Sequence, residues 1–486
     1  MNFTLKNFFF ISPFLALGFS IIINLLIIII KRNFFLSFLS TVFGLILSVC
    51  CYYYFLNNFD IKYIYLQCFY DHIYSFYFFM FFLSSLFTAF FVYFWLRDSK
   101  LNREEFYLLL LISNLGGYLL CLTNDIFIFY IGMELLSFPL LGMMSYFSFT
   151  NSNNLLSSFQ YFVISSISSI FALLGINLIY LSYGNLSITV LQENNYLLNL
   201  DDKSVIFLFG IIFLYISFLM KFSMFPFYFW VADIYQGISC ISLMYFSNAI
   251  KIIFFVMFLK FCRFFIGSNH LFFFYFLKCI IIFSIIFGSV LSLYQKNFKR
   301  FLGYSSVANL AYLMIPVLLQ NSEQSFDLAM KIYLFCYFLN SSVLFGAMHL
   351  ISRVLEKNKR YLLENYEGIF WKNPVLSIAI IISSFSMAGM PFTIGFVGKL
   401  YLLKILMIKN QIFLILCVFF GSAVSLYYYF NFIKLFFYEN TKHISNNSFI
   451  KTNLFIFSKI FVFVLSLLII LFNLNFNLLK VIFLHF

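Results

Sequence analysis

The chain has 486 residues, of which 63% are hydrophobic, 24% aromatic and only 10% charged. A soluble core does not need so much apolar surface, so the composition excludes a soluble globular protein and indicates a polytopic membrane protein. The formal net charge of +13 is spread over loops without a basic arm. That distribution excludes nucleic-acid binding and reflects membrane topology. The abundant Phe and Tyr are typical of lipid-facing bulk and interfacial belts.

Cysteine and histidine spacing bears on redox cofactors. The nine cysteines are scattered without a CxxC pair, and no two of the five histidines are spaced as haem or metal ligands. We therefore expect no cofactor and no metal in this chain. The first apolar run is followed by many more, so a cleavable signal is not expected.

Apolar runs of helix length, separated by polar breaks, predict an all-α polytopic protein with about fourteen transmembrane spans. In chain order the spans lie near residues 9–30, 34–56, 74–96, 106–123, 125–146, 159–183, 205–236 (broken), 243–265, 270–293, 303–319, 327–351, 374–407 (broken), 411–436 and 455–476. Alternate loops carry sixteen Lys and Arg residues on one side and eight on the other. The positive-inside rule assigns the richer side to the cytoplasm or matrix and both termini to the opposite side.

Span 7 is interrupted beside a charge. Lys221 ends an apolar run, and Pro226 then removes a backbone donor and crowds the preceding turn, so a straight helix cannot continue. Broken helices are tolerated at membrane depth where they border protein or water, and buried charges there mark ion paths. The alternative is a proline kink with Lys221 reaching the headgroups.

A weak internal repeat contains this break. The string SMFPF at residues 223–227 recurs as SMAGMPF at residues 386–392, and its Pro391 interrupts span 12. The two strings lie five spans apart, in spans 7 and 12. Because this number is odd, the second copy is predicted to be inverted, as in transporters whose paired broken helices mark the transport site. We predict four regions: N-terminal spans at 1–105, a first five-helix repeat at 106–265, a second, inverted repeat at 266–440, and a C-terminal span at 441–486.

Further charges fall inside predicted spans. Glu134 follows Asp125 by nine residues, about 13 Å along span 5, and Lys251 and Lys399 lie within spans 8 and 12. Each such charge costs roughly 2.5–3.5 kcal/mol at the membrane centre. One acid and three lysines on different spans therefore predict a hydrated row that transfers protons. The alternatives are a static Glu134–Lys221 ion pair and lysines that snorkel, which we expect for those nearer span ends: Lys278, Lys331, Lys404 and Lys459.

Four segments resemble one family, the antiporter-like membrane subunits of respiratory complex I and of multisubunit cation/proton antiporters. They are DIFIFYIGMELLSFP at 125–139, KFSMFPFYFW at 221–230, QKNFKRFLGYSS at 295–306 and MAGMPFTIGFVGK at 387–399. The resemblance covers about residues 106–436. Within the family, DIYQG at 233–237 and the chain length are similar to chain 2 of NADH–ubiquinone oxidoreductase.

The resemblance implies a non-redox, proton-translocating subunit with two inverted repeats. It implies that Glu134 and Lys221 form a modulating pair, that Lys251 is the central proton carrier and that Lys399 is the exit-side group. It also implies contacts with chains 4, 4L and 6 and with lipid. The expected location is the mitochondrial inner membrane, with both termini on the intermembrane-space side. NADH, FMN, iron–sulfur clusters and ubiquinone would be used elsewhere in the complex.

The chain departs from the family at positions that are commonly titratable. Tyr228 and Asn309 stand where relatives often have His, and Gln160 and Leu156 where many have Lys and Glu. Neither Tyr nor Asn titrates near neutrality as His does, which puts a relay through span 6 and the span 10 histidine in doubt. Two rival functions remain: a subunit of an Mrp-type sodium/proton antiporter, and a structural membrane scaffold whose charges form static pairs.

Overall fold

The computed structural model describes residues 5–58, 72–97, 103–146, 152–188, 191, 202–266, 271–319, 324–353, 361–438, 453–474 and 480. In these residues the chain is almost entirely helical. The helices are α1 (Leu5–Ile30), α2 (Phe34–Asn58), α3 (His72–Leu96), α4 (Glu104–Leu122), α5 (Ile126–Ser145), α6 (Ser152–Tyr183), α7 (Asp202–Phe222), α8 (Phe229–Gly237), α9 (Cys240–Tyr245), α10 (Lys251–Ile266), α11 (Leu271–Leu293), α12 (Phe298–Leu318), α13 (Gln324–Ser352), α14 (Ile369–Lys372), α15 (Pro374–Ala388), α16 (Ile394–Ile408), α17 (Ile412–Phe437) and α18 (Asn453–Leu474). A π-helical turn, Phe246–Ile250, joins α9 to α10, and a 3₁₀ turn occupies Leu363–Tyr366.

The predicted fold class is confirmed. Thirteen helices in the described residues are long and apolar enough to cross a membrane. Each coincides with a predicted span, and the remaining span, near 374–407, is present as α15 and α16, two helices of 15 residues each. In lipid the backbone must satisfy its own hydrogen bonds, which is why so apolar a chain forms helices nearly everywhere.

The chain divides into two compact units. The first contains Met1–Phe222 and Ala249–His270, and the second contains Ser223–Asn248 and Leu271–His485. Compactness therefore groups the second half of broken span 7 with the C-terminal half of the chain. The predicted repeat boundaries concern internal symmetry rather than compactness, and they stay a prediction.

Helix pairs in the first unit pack through small residues. Gly175 on α6 faces Gly210 on α7, and a Cβ at Gly175 would lie 2.7 Å from the Gly210 carbonyl oxygen. Glycine at this crossing allows the two backbones to approach closely, as is common where lipid provides no hydrophobic drive for helix association.

The same local structure occurs once in each unit. Asp125 caps α5 by accepting a hydrogen bond from the Phe127 amide, and it forms an isolated β-bridge with Ser187. In the second unit Asn297 caps α12 in the same way, and it forms an isolated β-bridge with Leu362. Spans 5 and 10 therefore begin alike in the described residues.

Both predicted helix breaks are present. The α7 helix ends at Phe222, and Ser223 takes a left-handed φ of 59° before Pro226. The α15 helix ends at Ala388, and the next residue, Gly389, has a left-handed φ of 87° shortly before Pro391. Left-handed residues end α-helices because they turn the chain away from the helical path, and proline prevents the path from resuming at once.

Parts of the topology prediction lie outside the described residues. These are the domain boundary at 440/441 and the counted charges Lys6, Lys62, Lys100, Lys203, Arg263, Lys357, Lys359, Arg360, Lys442 and Lys451, for which the structure describes no side chain.

Candidate functional site

Glu134 and Lys221 come near each other in the first unit. Lys221, in the last turn of α7, is only 7% exposed, and it interacts electrostatically with Glu134 on α5. Among the described residues, neither the Lys221 Nζ nor the Glu134 Oε1 has a hydrogen-bond partner, although both atoms are buried. The two charges are thus within range of each other without being locked together.

Two tyrosines lie within electrostatic range of the Glu134 carboxylate. They are Tyr130, one turn earlier on α5, and the buried Tyr161 on α6. The neighbouring Gln160 is exposed. The sequence analysis missed Tyr161 because nothing in the sequence distinguishes it from the other tyrosines.

Lys251 lies on a helix that also contacts Lys221. The Lys221 ammonium sits 5.5 Å from the centre of the Phe254 ring, a cation–π contact that brings α7 against α10. Lys251, one turn before Phe254, is 4% exposed and follows the π-helical turn directly. Such turns are frequent at functional sites. The first unit thus contains three of the four predicted residues: Lys221 and Lys251 are buried, and Glu134 is half-buried.

Lys260 is a further buried cation in this unit. It is 5% exposed, and its ammonium donates to the carbonyl oxygens of Leu120, Cys121 and Thr123 at the end of α4. Those carbonyls carry the negative end of the helix dipole. The sequence analysis counted Lys260 with the loop charges. Its position inside predicted span 8 was a signal that could have identified it.

Lys399 occupies the second break. Its Nζ donates to the Ala388 carbonyl oxygen at 2.6 Å, the last residue of α15, and to the Ser425 hydroxyl at 3.4 Å. The side chain is 6% exposed. It also passes so close to Gly389 that a Cβ there would lie 2.8 Å from its Cδ. Lys399 is therefore held by a helix end rather than by a carboxylate, and it does not snorkel.

Two small cavities lie in the second unit, and Lys399 lines one of them. The first is lined by Asn309, Tyr333, Cys336, Tyr337, Asn340, Ser386, Met387, Gly395 and Lys399. The second is lined by Leu302, Ser305, Ser306, Asn309, Tyr337, Ser341, Leu344, Phe345 and Met387. Three side chains line both cavities: Asn309, Tyr337 and Met387.

The two residues that replace commonly titratable positions are buried. The Oδ1 of Asn309 accepts a hydrogen bond from the Tyr333 hydroxyl at 2.9 Å, and its Nδ2 approaches the Met387 sulfur at 3.7 Å. Tyr228 stacks on Phe229, with ring centres 4.2 Å apart. Asn309 thus faces the polar interior, whereas Tyr228 takes part in an aromatic cluster.

The remaining lysines divide into three kinds. Lys404 is exposed, as expected for a snorkelling residue. Lys278 and Lys459 are half-buried and donate to the side-chain oxygens of Gln411 and Asn373. Lys331 is 8% exposed within α13, so its predicted snorkelling is wrong: both faces of α13 are covered by neighbouring helices, and no lipid-facing route is left. Lys299, buried at the start of α12, donates to the Ile238 carbonyl oxygen.

Comparisons with known proteins agree on one family. Residues 123–425 match the family described as NADH:quinone oxidoreductase/Mrp antiporter, transmembrane. Over 418 residues the chain is 35% identical to NADH-quinone oxidoreductase subunit N of Buchnera aphidicola subsp. Acyrthosiphon pisum (strain APS), covering 86% of this chain and 85% of the relative. It is 37% identical over 435 residues to the protein of the same name from Buchnera aphidicola subsp. Schizaphis graminum (strain Sg), covering 88% of both.

Solved structures share the fold. A chain of respiratory complex I from Thermus thermophilus superposes with a TM-score of 0.78 at 21% identity, covering 96% of this chain and 98% of that one. A chain of the Mrp complex from Dietzia sp. DQ12-45-1b gives a TM-score of 0.80 at 16% identity, covering 96% and 95%. With the family match and the subunit N relatives, these findings show that the chain belongs to the NADH:quinone oxidoreductase/Mrp antiporter transmembrane family.

Proposed function

We propose that this chain is the subunit N-type, or chain 2-type, membrane subunit of a proton-translocating NADH:quinone oxidoreductase. The observation that carries the proposal is the burial of Lys221, Lys251 and Lys399 beside helix interruptions. Burying an ammonium in lipid is costly. Three of them, each beside an irregular backbone, fit a route for protons better than they fit a structural role.

The proposed chemistry is acid–base exchange without a redox step in this chain. Protonation of a buried lysine depends on its distance from a carboxylate. Quinone reduction elsewhere in the complex would change the separation of Glu134 and Lys221. That change would alter the proton affinity of Lys251, which then releases a proton toward Lys399 or toward the intermembrane side. The electrostatic interaction between Lys221 on α7 and Glu134 on α5 supports this mechanism, because a movement of one helix relative to the other would change it.

A Lys251→Met variant tests the proton-carrier role. Methionine keeps the length and apolar stem of lysine but cannot hold a proton. In the assembled complex, reconstituted in proteoliposomes, we expect proton translocation to fall about 100-fold, as for the loss of a positioned acid–base group. Lys404→Met is the matched control, since Lys404 is exposed. Normal assembly with undiminished translocation in Lys251→Met would instead favour the scaffold.

The assembly that contains the chain distinguishes the proposed function from the rival antiporter function. The subunit N relatives favour the oxidoreductase. We expect mass spectrometry to find the chain in a very large, NADH-oxidising band after native-gel separation of solubilised membranes. Its presence only in a small assembly without that activity would support an Mrp-type sodium/proton antiporter.

The proposal also includes the partner subunits, the absence of cofactors, the membrane and the sidedness of the termini. We expect contacts with the subunits equivalent to chains 4, 4L and 6, and no flavin, cluster or metal in this chain. A mitochondrial inner membrane follows from the chain 2 resemblance alone. The subunit N relatives are bacterial and do not support it. The charge count supports placing both termini opposite the cytoplasm or matrix.

A further inference from the structure

The helix that carries Lys251 is irregular just before this residue. A π-helical turn, Phe246–Ile250, separates α9 from α10, and Lys251 is the first residue of α10. A π turn closes i→i+5 hydrogen bonds, so it uses one residue more than an α-helical turn. One residue corresponds to about 100° of rotation and about 1.5 Å of rise in an α-helix. The π turn therefore sets the direction in which Lys251 points.

The present direction places Lys251 on the face of α10 that meets Lys221. Lys251 and Phe254 are three residues apart and share one face of the helix, and the Lys221 ammonium lies 5.5 Å from the centre of the Phe254 ring. If the π turn became α-helical, Lys251 would turn into the direction that Ile252 now takes. Each residue from Cys240 to Cys262 is buried. The ammonium would therefore move into a buried position that an apolar side chain fills.

Asn248, inside the π turn, is bound to a neighbouring helix. Its side chain is 1% exposed, and its Oδ1 accepts a hydrogen bond from the Ser341 hydroxyl on α13. The Ser247 hydroxyl approaches the same oxygen at 3.4 Å, but Ser247 belongs to the turn itself. At the start of the turn, the Phe246 ring packs edge-on against Tyr235 of α8, with ring centres 6.0 Å apart. Asn248 thus holds the part of the turn that leads into Lys251.

An amide keeps this contact whichever way the Ser341 hydrogen points. The Ser341 hydroxyl also lies 2.7 Å from the Tyr337 carbonyl oxygen and 3.1 Å from that of Phe338, both on its own helix, and it has one hydrogen to donate. When that hydrogen goes to a carbonyl of α13, the Asn248 amide can turn over and donate from Nδ2 to the Ser341 oxygen. Nδ2 has no hydrogen-bond partner among the described residues, so this exchange breaks no other bond. An apolar side chain of the same size forms neither bond.

We propose that Asn248 is a positioning residue for Lys251: bound to Ser341, it holds the π turn and so keeps the Lys251 ammonium on the face of α10 that meets Lys221. Asn248 acts through Lys251 and exchanges no proton itself. This inference rests on the proposed function, because it needs Lys251 to carry protons. It adds to that function a reason for the irregular turn, which burial of a lysine does not require.

Variants of the assembled complex in proteoliposomes test the proposal. Asn248→Leu keeps the side-chain size and removes the bond to Ser341. A misplacement of about 1 Å can cost about 100-fold in rate, and we expect translocation to fall about tenfold here, since the turn is weakened rather than lost. Ser341→Ala should cause a similar loss, and the double variant little more than either, because both changes break one bond. Ser342→Ala is the matched control, since its buried hydroxyl donates to the Leu339 carbonyl within α13.

A deletion distinguishes positioning from a general loss of stability. Removing Ala249 takes away the extra residue, so an ordinary α-helix can join α9 to α10 with Lys251 in its present direction. In that background Asn248 has no π turn to hold, and we expect Asn248→Leu to cause no further loss of translocation. A role in stability alone would instead lower both the melting temperature and the translocation to the same extent with or without Ala249.

The outcomes are distinguishable. Loss of translocation in Lys251→Met with normal translocation in Asn248→Leu overturns the inference and leaves the proposed function standing. An Asn248→Leu loss that Ser342→Ala shares, or that is undiminished when Ala249 is deleted, also overturns it. Should Asn248→Leu or the deletion fail to assemble, Ser341→Ala removes only the hydroxyl that holds the amide, and unchanged translocation in that variant is contrary to the proposal. Normal translocation in Lys251→Met removes both ideas.

Discussion

The two broken spans bury a lysine in different ways. At the first break Lys221 has a carboxylate within electrostatic range, and neither its Nζ nor the Glu134 Oε1 has a hydrogen-bond partner in the described structure. At the second break Lys399 binds the Ala388 carbonyl and the Ser425 hydroxyl. The first lysine thus depends on a charge carried by another helix, whereas the second depends on the end of a helix in its own broken span.

The sequence difference behind this contrast lies nine residues after each capping residue. Counting from Asp125 leads to Glu134, and counting from Asn297 leads to Ser306. The serine at the second position provides polarity without charge, and Lys399 is stabilised by the Ala388 carbonyl at the end of α15. A carboxylate on a separate helix can move and change a lysine's charge, whereas a helix end bound to the lysine holds it in one place.

The largest expected effect comes from removing either charge of the Glu134–Lys221 pair. We expect Lys221→Met and Glu134→Gln each to lower proton translocation about 100-fold. Because the two charges interact, the double variant should lose little more than either single variant, with a coupling of about 0.5–3 kcal/mol. The measurement is a double-mutant cycle on translocation in proteoliposomes.

A control cycle pairs Glu134→Gln with Lys260→Met. Lys260 binds carbonyls of α4, so its effect should add to that of Glu134 within about 0.5 kcal/mol. Additive losses for Glu134 and Lys221 as well would contradict the idea that they act as a pair.

The next largest effect is expected from a variant that displaces the Lys399 side chain. Gly389→Ala places a side chain at a φ of 87°, which costs roughly 1–2 kcal/mol. It also places a Cβ 2.8 Å from the Lys399 Cδ, so the lysine side chain must shift from the position in which it binds the Ala388 carbonyl. We expect both a lower melting temperature and impaired translocation. Gly184→Ala is the control: its φ of 66° carries similar strain, but its Cβ would meet nothing within 4 Å.

In that control we expect the stability loss without the loss of translocation. Equal translocation in the two glycine variants would show that the Lys399 position tolerates displacement, and the contrast between the two breaks would then be one of structure only.

The smallest expected effect concerns the other lysine bound to a helix end. Lys260→Met leaves buried carbonyl oxygens at the end of α4 without a donor, at a cost of about 1–3 kcal/mol. We expect a lower melting temperature of the solubilised complex but unchanged translocation per assembled complex. Lys434→Met, at an exposed position, should change neither. A translocation defect at normal stability would mean that Lys260 belongs to the proton route.

Much of the architecture could be predicted because composition and periodicity act locally. Apolar runs must form helices in lipid, so the spans were predictable. Pro226 and Pro391 indicated both breaks because each lies beside a charge or a glycine, whereas Pro139 and Pro316 lie inside continuous helices. Charges in such runs are conspicuous, which is why Glu134, Lys221, Lys251 and Lys399 could be identified without coordinates.

Which partner stabilises each charge was settled only by tertiary packing. The acceptors of Lys399 and Lys260 are backbone carbonyls, which every residue has and no sequence pattern marks. Burial of Lys331 likewise depends on which helices surround α13. The cavities around Asn309 form where side chains from four helices meet, and such gaps depend on packing at distances far apart in the chain. Helix position along the chain is a local property, whereas the stabilisation of a buried charge depends on its neighbours in space.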